Sequence, residues 1–330
     1  MRVAQLGAGR IGAMHAEILA GMVEPGTLTV ADVDASRAQA VADAVGARAA
    51  EIGQAIQEAD ALVIAASSTA HPELIRAGIG RGIPIFCEKP LATSLKETTQ
   101  LVGEIESSGI PFQLGFQRRF DAAYREARRL VEDGSLGTLY VLRMAGHDPA
   151  PPHEAYIPLS GGIFNDFSVH DFDVARWLTG QEFEEVYADG GVLGFPVFAK
   201  YDDVDTAVAT MRLSGGTRAI LSTTRHDPLG YDIRTELFGS GDSVAVGLGP
   251  MTPIRSLEPG VPPPAGPAWS MFIDRFRDAY ENELRAFLRV ARGEEESACT
   301  ARDGLEAVRV AVAATRSLRE HRPVRIAEVT

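Results

Sequence analysis

Val3-Ala4-Gln5-Leu6-Gly7-Ala8-Gly9-Arg10-Ile11-Gly12 decides the fold. A short apolar run ends in glycines spaced G-x-G-x-x-G, and an amphipathic stretch, 11–23, starts within them. A strand that feeds a helix through such a turn is the context in which the motif holds a dinucleotide. Gly7 makes the tight turn, Gly9 leaves room for backbone to approach a pyrophosphate, and Gly12 lets helix and strand pack closely. The helix start at Arg10 and Ile11 presents N–H groups to the anion.

Outward from the turn, short apolar runs alternate with helical stretches. Strands are expected at 3–6, 28–31, 61–65, 83–87 and 112–116, with helices over 11–23, 36–45, 72–81 and 95–107. Alternation at this spacing predicts an α/β domain, a parallel sheet covered by helices on both faces, over residues 1–120. Ligands of such sheets bind at the carboxyl ends of the strands. Asp32 falls there, 20 residues after Gly12. Its carboxylate can accept from ribose hydroxyls and repels a 2′-phosphate, so NAD is the expected cofactor. Asp34 or Ser36 suits the alternative job of capping the next helix, and Arg37 is the nearby feature that favours NADP as a second choice.

From residue 121 the pattern changes. A helix over 121–133 precedes strand-like segments at 138–144, 205–213, 218–225 and 231–238, read as antiparallel, with turn signals at Gly215-Gly216 and 239–242. A helix follows Ser160-Gly161-Gly162 as far as Leu178, and helical periodicity returns over 272–290 and 302–319. Residues 250–267 hold seven prolines and read as a surface loop. The expected second domain is 121–330, α+β with a large open, mainly antiparallel sheet.

Composition narrows the function classes. The 330 residues are 45% hydrophobic and 23% charged, which fits a globular chain long enough for two domains. The net charge is −13, of which residues 1–120 carry −3 and the remainder −10, with no basic run; nucleic-acid and anionic-membrane partners are not expected. No apolar run approaches the ~20 residues of a membrane span, and the start lacks the apolar core of a signal peptide. Two cysteines, Cys87 and Cys299, make no disulfide framework and show no metal-ligand spacing, so a cytoplasmic location is expected.

Phe86-Cys87-Glu88-Lys89-Pro90-Leu91-Ala92 carries Glu-Lys-Pro after a strand of the dinucleotide domain, and Gly161-Gly162-Ile163-Phe164-Asn165-Asp166-Phe167-Ser168-Val169-His170-Asp171-Phe172-Asp173 carries G-G-x-x-x-D-x-x-x-H-x-x-D. Together they resemble the glucose–fructose oxidoreductase/inositol dehydrogenase/MocA family across nearly the whole chain. Gly115-Phe116-Gln117-Arg118-Arg119-Phe120-Asp121, Gly230-Tyr231-Asp232-Ile233 and Arg275-Phe276-x-x-Ala279-Tyr280 are similar to inositol 2-dehydrogenases in particular. The resemblance implies a Rossmann domain, a homodimer or homotetramer, and oxidation of a secondary alcohol of a polyol, sugar or aminocyclitol. It places Lys89, Asp166 and His170 on the catalytic positions: His170 as proton acceptor, Lys89 beside the developing alkoxide and the nicotinamide ribose, Asp166 holding the hydroxyl or orienting Lys89. Ser67, His71 and Glu88 are expected beside the cofactor, and Gln117, Arg118, Asp148, Phe167, Asp173 and Tyr231 on the substrate side. Tyr231 reads equally as core, and Asp173 also as a cap or a paired group inside the fold.

An alcohol is far too weak an acid to lose its proton unaided at neutral pH, so hydride transfer needs a positioned base and nearby positive charge. Asp166, His170 and Asp173 at i, i+4 and i+7 share one side of a helix. The same spacing suits a divalent metal, although the family pattern explains these residues without one, and no metal is expected. Two departures bear on substrate. Gly146-His147-Asp148-Pro149 stands where inositol dehydrogenases carry His-Arg-Asn-Pro, and Phe167 replaces a small polar residue. An added carboxylate and an apolar wall favour a glycoside or an amine-bearing ring over free inositol. A catalytically silent NAD(H)-sensing protein is the rival of another class; the retained Lys89, Asp166 and His170 oppose it.

Overall fold

The computed structural model describes residues 1–264 and 266–329. The chain divides into two compact units, 1–120 with 278–305, and 121–277 with 306–330.

The first unit is built on six parallel strands: β1 (Val3–Leu6), β2 (Leu28–Ala31), β3 (Arg48–Ala49), β4 (Ala61–Ile64), β5 (Ile85–Glu88) and β6 (Phe112–Gly115), in the order β3-β2-β1-β4-β5-β6. The order reverses at β1, and the crevice at that reversal is where open α/β sheets take their ligands. Central strands covered on both faces read as near-continuous apolar runs, and β1 and β4 are buried at every position, Gln5 of β1 included. This is the Rossmann arrangement expected from the turn. Helices Arg10–Ala20, Ala35–Val45, Ile52–Glu58, His71–Arg81 and Leu95–Ser108 link the strands. The third of these, and the two-residue β3, were not foreseen.

Residues 278–305 depart from the expected boundary, which put everything after 120 in the second domain. Buried side chains of the first unit bind them. Arg119 reaches Asp303 at 3.0 Å and donates to the Ala298 carbonyl at 2.9 Å, and Gln113 donates to the Glu283 carbonyl at 2.9 Å. The Leu114 amide donates to the Cys299 carbonyl, also at 2.9 Å.

The second unit holds seven strands: β7 (Leu139–His147), β8 (Phe183–Gly191), β9 (Thr206–Leu213), β10 (Arg218–Thr224), β11 (Asp232–Gly239), β12 (Ser243–Val246) and β13 (Val324–Arg325). Their order is β12-β11-β7-β10-β9-β8-β13. All neighbours run antiparallel except β7 and β10, which are parallel, so the sheet is mainly antiparallel, as expected, with one parallel pair that the sequence pattern did not announce. Helices Ala122–Glu132 and Val169–Thr179 cover one face. Tyr187, Val208 and Ile220 stand exposed on the other. The described part of 250–267 contains no helix or strand; Ala265 lies outside the described residues.

Candidate active site

At the carboxyl end of β1 two positions have room only for glycine. Gly7 adopts φ +98°, and a Cβ there would lie 2.5 Å from the Ala65 carbonyl oxygen. A Cβ on Gly12 would lie 2.0 Å from the Gly7 oxygen, whereas one on Gly9 would meet nothing within 4 Å. Two glycines thus close the strand–helix corner and the third leaves its outer side open. No side chain caps helix Arg10–Ala20, so its first amides suit an anion. Asp32, after β2, accepts from the Ala8 amide at 2.6 Å and the Asp34 amide at 2.9 Å, tying its carboxylate to the glycine turn. Asp34 caps the next helix, and Arg37 stands 3.9 Å from Asp32. These residues fit a dinucleotide's pyrophosphate and ribose.

The loops after β4 and β5 complete this half. Ser67 is exposed, and its hydroxyl lies 3.2 Å from that of Thr69. His71 is buried between two carbonyls, Pro90 at 2.7 Å from Nδ1 and Ala66 at 3.1 Å from Nε2, and so clamps the two loops together. A neutral ring donates to only one of them. Burial holds this imidazole below its ordinary range, with the two carbonyls acting against that. Glu88, expected at the cofactor, takes His15 Nε2 at 2.7 Å. His15 is fully buried, edge-on to Phe86 and Tyr280, and was assigned no role from sequence. Lys89 follows, half-buried, before a cis bond to Pro90. Gln117 and Arg118, expected on the substrate side, lie buried in the turn after β6, within the first unit.

The second unit gathers the other candidates. Asp203 pins the start of the signature helix by accepting from the Ile163 amide at 3.1 Å. The next turn, Phe164–Ser168, is a π-turn, and regular α-helix begins at Val169. Asp166 and His170 are both partly open, while Asp173 is fully buried. The i+7 residue therefore parts from the first two. Such widened turns recur at functional sites. Phe167 packs inward, where a Cβ on Gly146 would lie 3.0 Å from its ring. The two departures from the inositol pattern thus depend on each other: glycine at 146 makes the space that Phe167 fills. Tyr231 is 4% exposed at the start of β11.

Asp166 is held at both oxygens. The Tyr156 hydroxyl donates to Oδ1 at 2.8 Å, and Arg225 Nη1 lies 2.9 Å from Oδ2. The same Nη1 is 3.5 Å from Asp148 Oδ2. Arg225 went unnoticed in the sequence, though a signal was there. Ala219, Leu221 and Thr223 form the inward face of β10, and Arg225 continues that alternation as a charge among buried positions. Asp148, read as a bare anion, therefore has a cation beside it.

Among the described residues the metal-type trio is His147, Asp227 and Asp232, not Asp166, His170 and Asp173. Alternation along β7 sends His147 to the face opposite Gly146. Arg234 already occupies both oxygens of Asp232, at 2.8–3.1 Å, which opposes a second cation there.

Two family models match the chain. Residues 1–116 match the oxidoreductase family with NAD-binding Rossmann fold, and 124–245 match the Gfo/Idh/MocA C-terminal domain. The chain belongs to the Gfo/Idh/MocA oxidoreductase family. Its first unit is thus the NAD-binding domain of an oxidoreductase. Among relatives of this family, a myo-inositol dehydrogenase, Hyg17, of Streptomyces leeuwenhoekii is 40% identical, with 96% of this chain and 97% of that one covered. A probable dehydrogenase from Thermotoga maritima superposes with a TM-score of 0.92 at 35% identity, over 100% of both chains. The scyllo-inositol dehydrogenase of Lactobacillus casei, solved with NAD(H) and scyllo-inositol, superposes with a TM-score of 0.88 at 28% identity over 99% of each chain. No helix among the described residues is long and apolar enough to cross a membrane.

Proposed function

We propose that this oxidoreductase uses NAD to oxidise a secondary ring hydroxyl of a neutral cyclitol to the ketone, with an inositol as the first substrate to test. The observation that carries the reading is the combination, in one chain, of an uncapped glycine turn with Asp32 and a signature helix holding Asp166 and His170 one turn apart and partly open. The full-length relatives named for myo- and scyllo-inositol support the substrate class.

Gly7, Gly9, Gly12 and Asp32 would hold NAD+, which would supply an acceptor for the hydride of the carbinol carbon. His170 takes the hydroxyl proton; Lys89 supplies positive charge for the developing alkoxide; Asp166, fixed by Tyr156 and Arg225, accepts a hydrogen bond from the substrate and orients it. The net negative charge of residues 121–330 disfavours phosphorylated sugars. Arg225 offsets the charge of Asp148, which lowers the advantage of an amine-bearing ring over a neutral one. Tyr187, Val208 and Ile220, exposed on the open sheet, support assembly into a dimer or tetramer through that face. Two buried free thiols support a cytoplasmic setting.

NADH absorbance with a panel of inositols, aminocyclitols, glycosides and sugar phosphates tests the reading. Turnover of a neutral inositol is expected. Efficient turnover of a nucleotide sugar with none of any cyclitol overturns it.

A further inference from the structure

Arg225 is an expensive residue in its place. It is 2% exposed, and its Nε and Nη2 are buried without a hydrogen-bond partner. The guanidinium carbon lies 5.8 Å from the centre of the Phe167 ring, a cation over an aromatic face. Buried N–H groups left unsatisfied lower stability, and an apolar side chain of similar volume is often the more stable choice. What the position gains is a set of carboxylates: Nη1 lies 2.9 Å from Asp166 and 3.5 Å from Asp148, and the charge of Asp203 acts on the same guanidinium.

Two carboxylates that share a site repel, and without a cation one of them takes up a proton. A protonated Asp166 could present an O–H where the reaction wants an acceptor. A planar guanidinium meets this need better than an ammonium: it stays charged when buried and lies flat against a ring. The order of contacts in the fold follows from this. Gly146 admits Phe167, Phe167 backs Arg225, and Arg225 reaches both carboxylates.

We propose that Arg225 is the positioning residue of the reaction: it holds Asp166 ionised in one orientation, opposite the Tyr156 hydroxyl, and ties Asp148 to the same cation. Substrate recognition and chemistry thereby share one guanidinium. The proposal rests on the role given to Asp166 above.

Steady-state kinetics with NAD and myo-inositol test it on Arg225→Met, Arg225→Lys, Asp166→Asn and the double variant Arg225→Met/Asp148→Asn, with a thermal melt of each. Arg225→Met is expected to lower kcat about 10²-fold, the scale of lost acid–base and orienting assistance, while KM for NAD changes less than about threefold. Arg225→Lys should recover part of kcat. The double variant should exceed Arg225→Met by about fivefold or more, because it removes one of the carboxylates whose charge the lost guanidinium offset. A merely structural arginine would lower the melting temperature, and the second substitution would restore no turnover. If Arg225→Met does not fold, Arg225→Lys carries the test: kcat falling with the melt unchanged supports the proposal, and wild-type kcat overturns it. Arg225→Met within threefold of wild-type kcat while Asp166→Asn is inactive overturns the role of Arg225 alone. Full activity of Asp166→Asn overturns the reading of Asp166, and the proposal with it.

Discussion

Replacing Asp32 by Asn or Ser should move the cofactor preference by a predictable amount. The side chain is only 8% exposed, so its charge acts through a medium less screening than water. A carboxylate accepting from a ribose hydroxyl is worth about 1.5–3 kcal/mol, and this is lost to NAD. Repulsion between Asp32 and a 2′-phosphate, about 1–2 kcal/mol for charges some 5 Å apart at intermediate dielectric, is lost as a barrier to NADP. Arg37, 3.9 Å from Asp32, is then free to meet the phosphate. The sum, about 3–4 kcal/mol, lowers the ratio of kcat/KM for NAD over NADP by about 10²- to 10³-fold. Asp32 also binds the Ala8 and Asp34 amides, so damage to the turn must be separated from loss of charge. Asn keeps one acceptor for an amide, and a melt of each variant monitors the turn. The assay is initial NADH and NADPH formation at saturating inositol. A ratio in either variant within threefold of wild type, or a wild-type preference for NADP, refutes the reasoning.

His170→Ala and Lys89→Ala should each lower kcat for inositol oxidation about 10²-fold or more, with NAD affinity less affected in His170→Ala; near wild-type turnover in either removes that role. Asp148→Asn should weaken an amine-bearing cyclitol more than myo-inositol. Because Arg225 stands 3.5 Å away, the extra loss in kcat/KM should stay below about tenfold, and equal losses would make Asp148 indifferent to substrate charge. Burial, the first cause, depresses the pKa of His71, so its neutral form favours the fold. That contribution is complete above about pH 6.5 and is lost as pH falls through the folded value. Thermal midpoints should therefore drop more steeply below pH 6.5 in wild type than in His71→Gln, and parallel curves would refute this. Arg119→Met leaves Asp303 without its buried partner, a loss of about 3 kcal/mol that hydrogen exchange should register across 278–305; unchanged protection there would refute the packing argument.

Much of the first sheet was legible because central strands buried on both faces write continuous apolar runs, and because the glycine turn has few other uses. β8 was not: a register shift between Phe183 and Glu185 interrupts its alternation. Alternation also carries no information about a neighbour's direction, which is why the parallel pairing of β7 with β10 was missed. Helical periodicity over 272–290 announced a buried face without naming what it would pack on, so the attachment of 278–305 to the first unit could not be read. In the site, spacing found Asp166 and His170. It could not see that a π-turn precedes the regular helix, and it left open whether Asp173 faces the substrate or the interior, where it lies fully buried. Arg225 was the recoverable omission, a charge on the inward face of an otherwise regular strand.

The return of 278–305 to the first unit has a consequence for synthesis. A ribosome releases the chain in order, at ~5–20 residues per second. β1 to β6 are all out by residue 120, yet the segment that satisfies Arg119, Gln113 and the Leu114 amide is complete only about 185 residues later, roughly 10–35 s on. For that interval the half made first is the unfinished one. The second unit must wait as well, since β13, which closes the open side of β8, lies at 324–325. Both halves are finished by segments that follow every residue of the candidate site, 278–305 for the first unit and the stretch after 305 for the second, so an early stop that spares that site would still leave two incomplete cores.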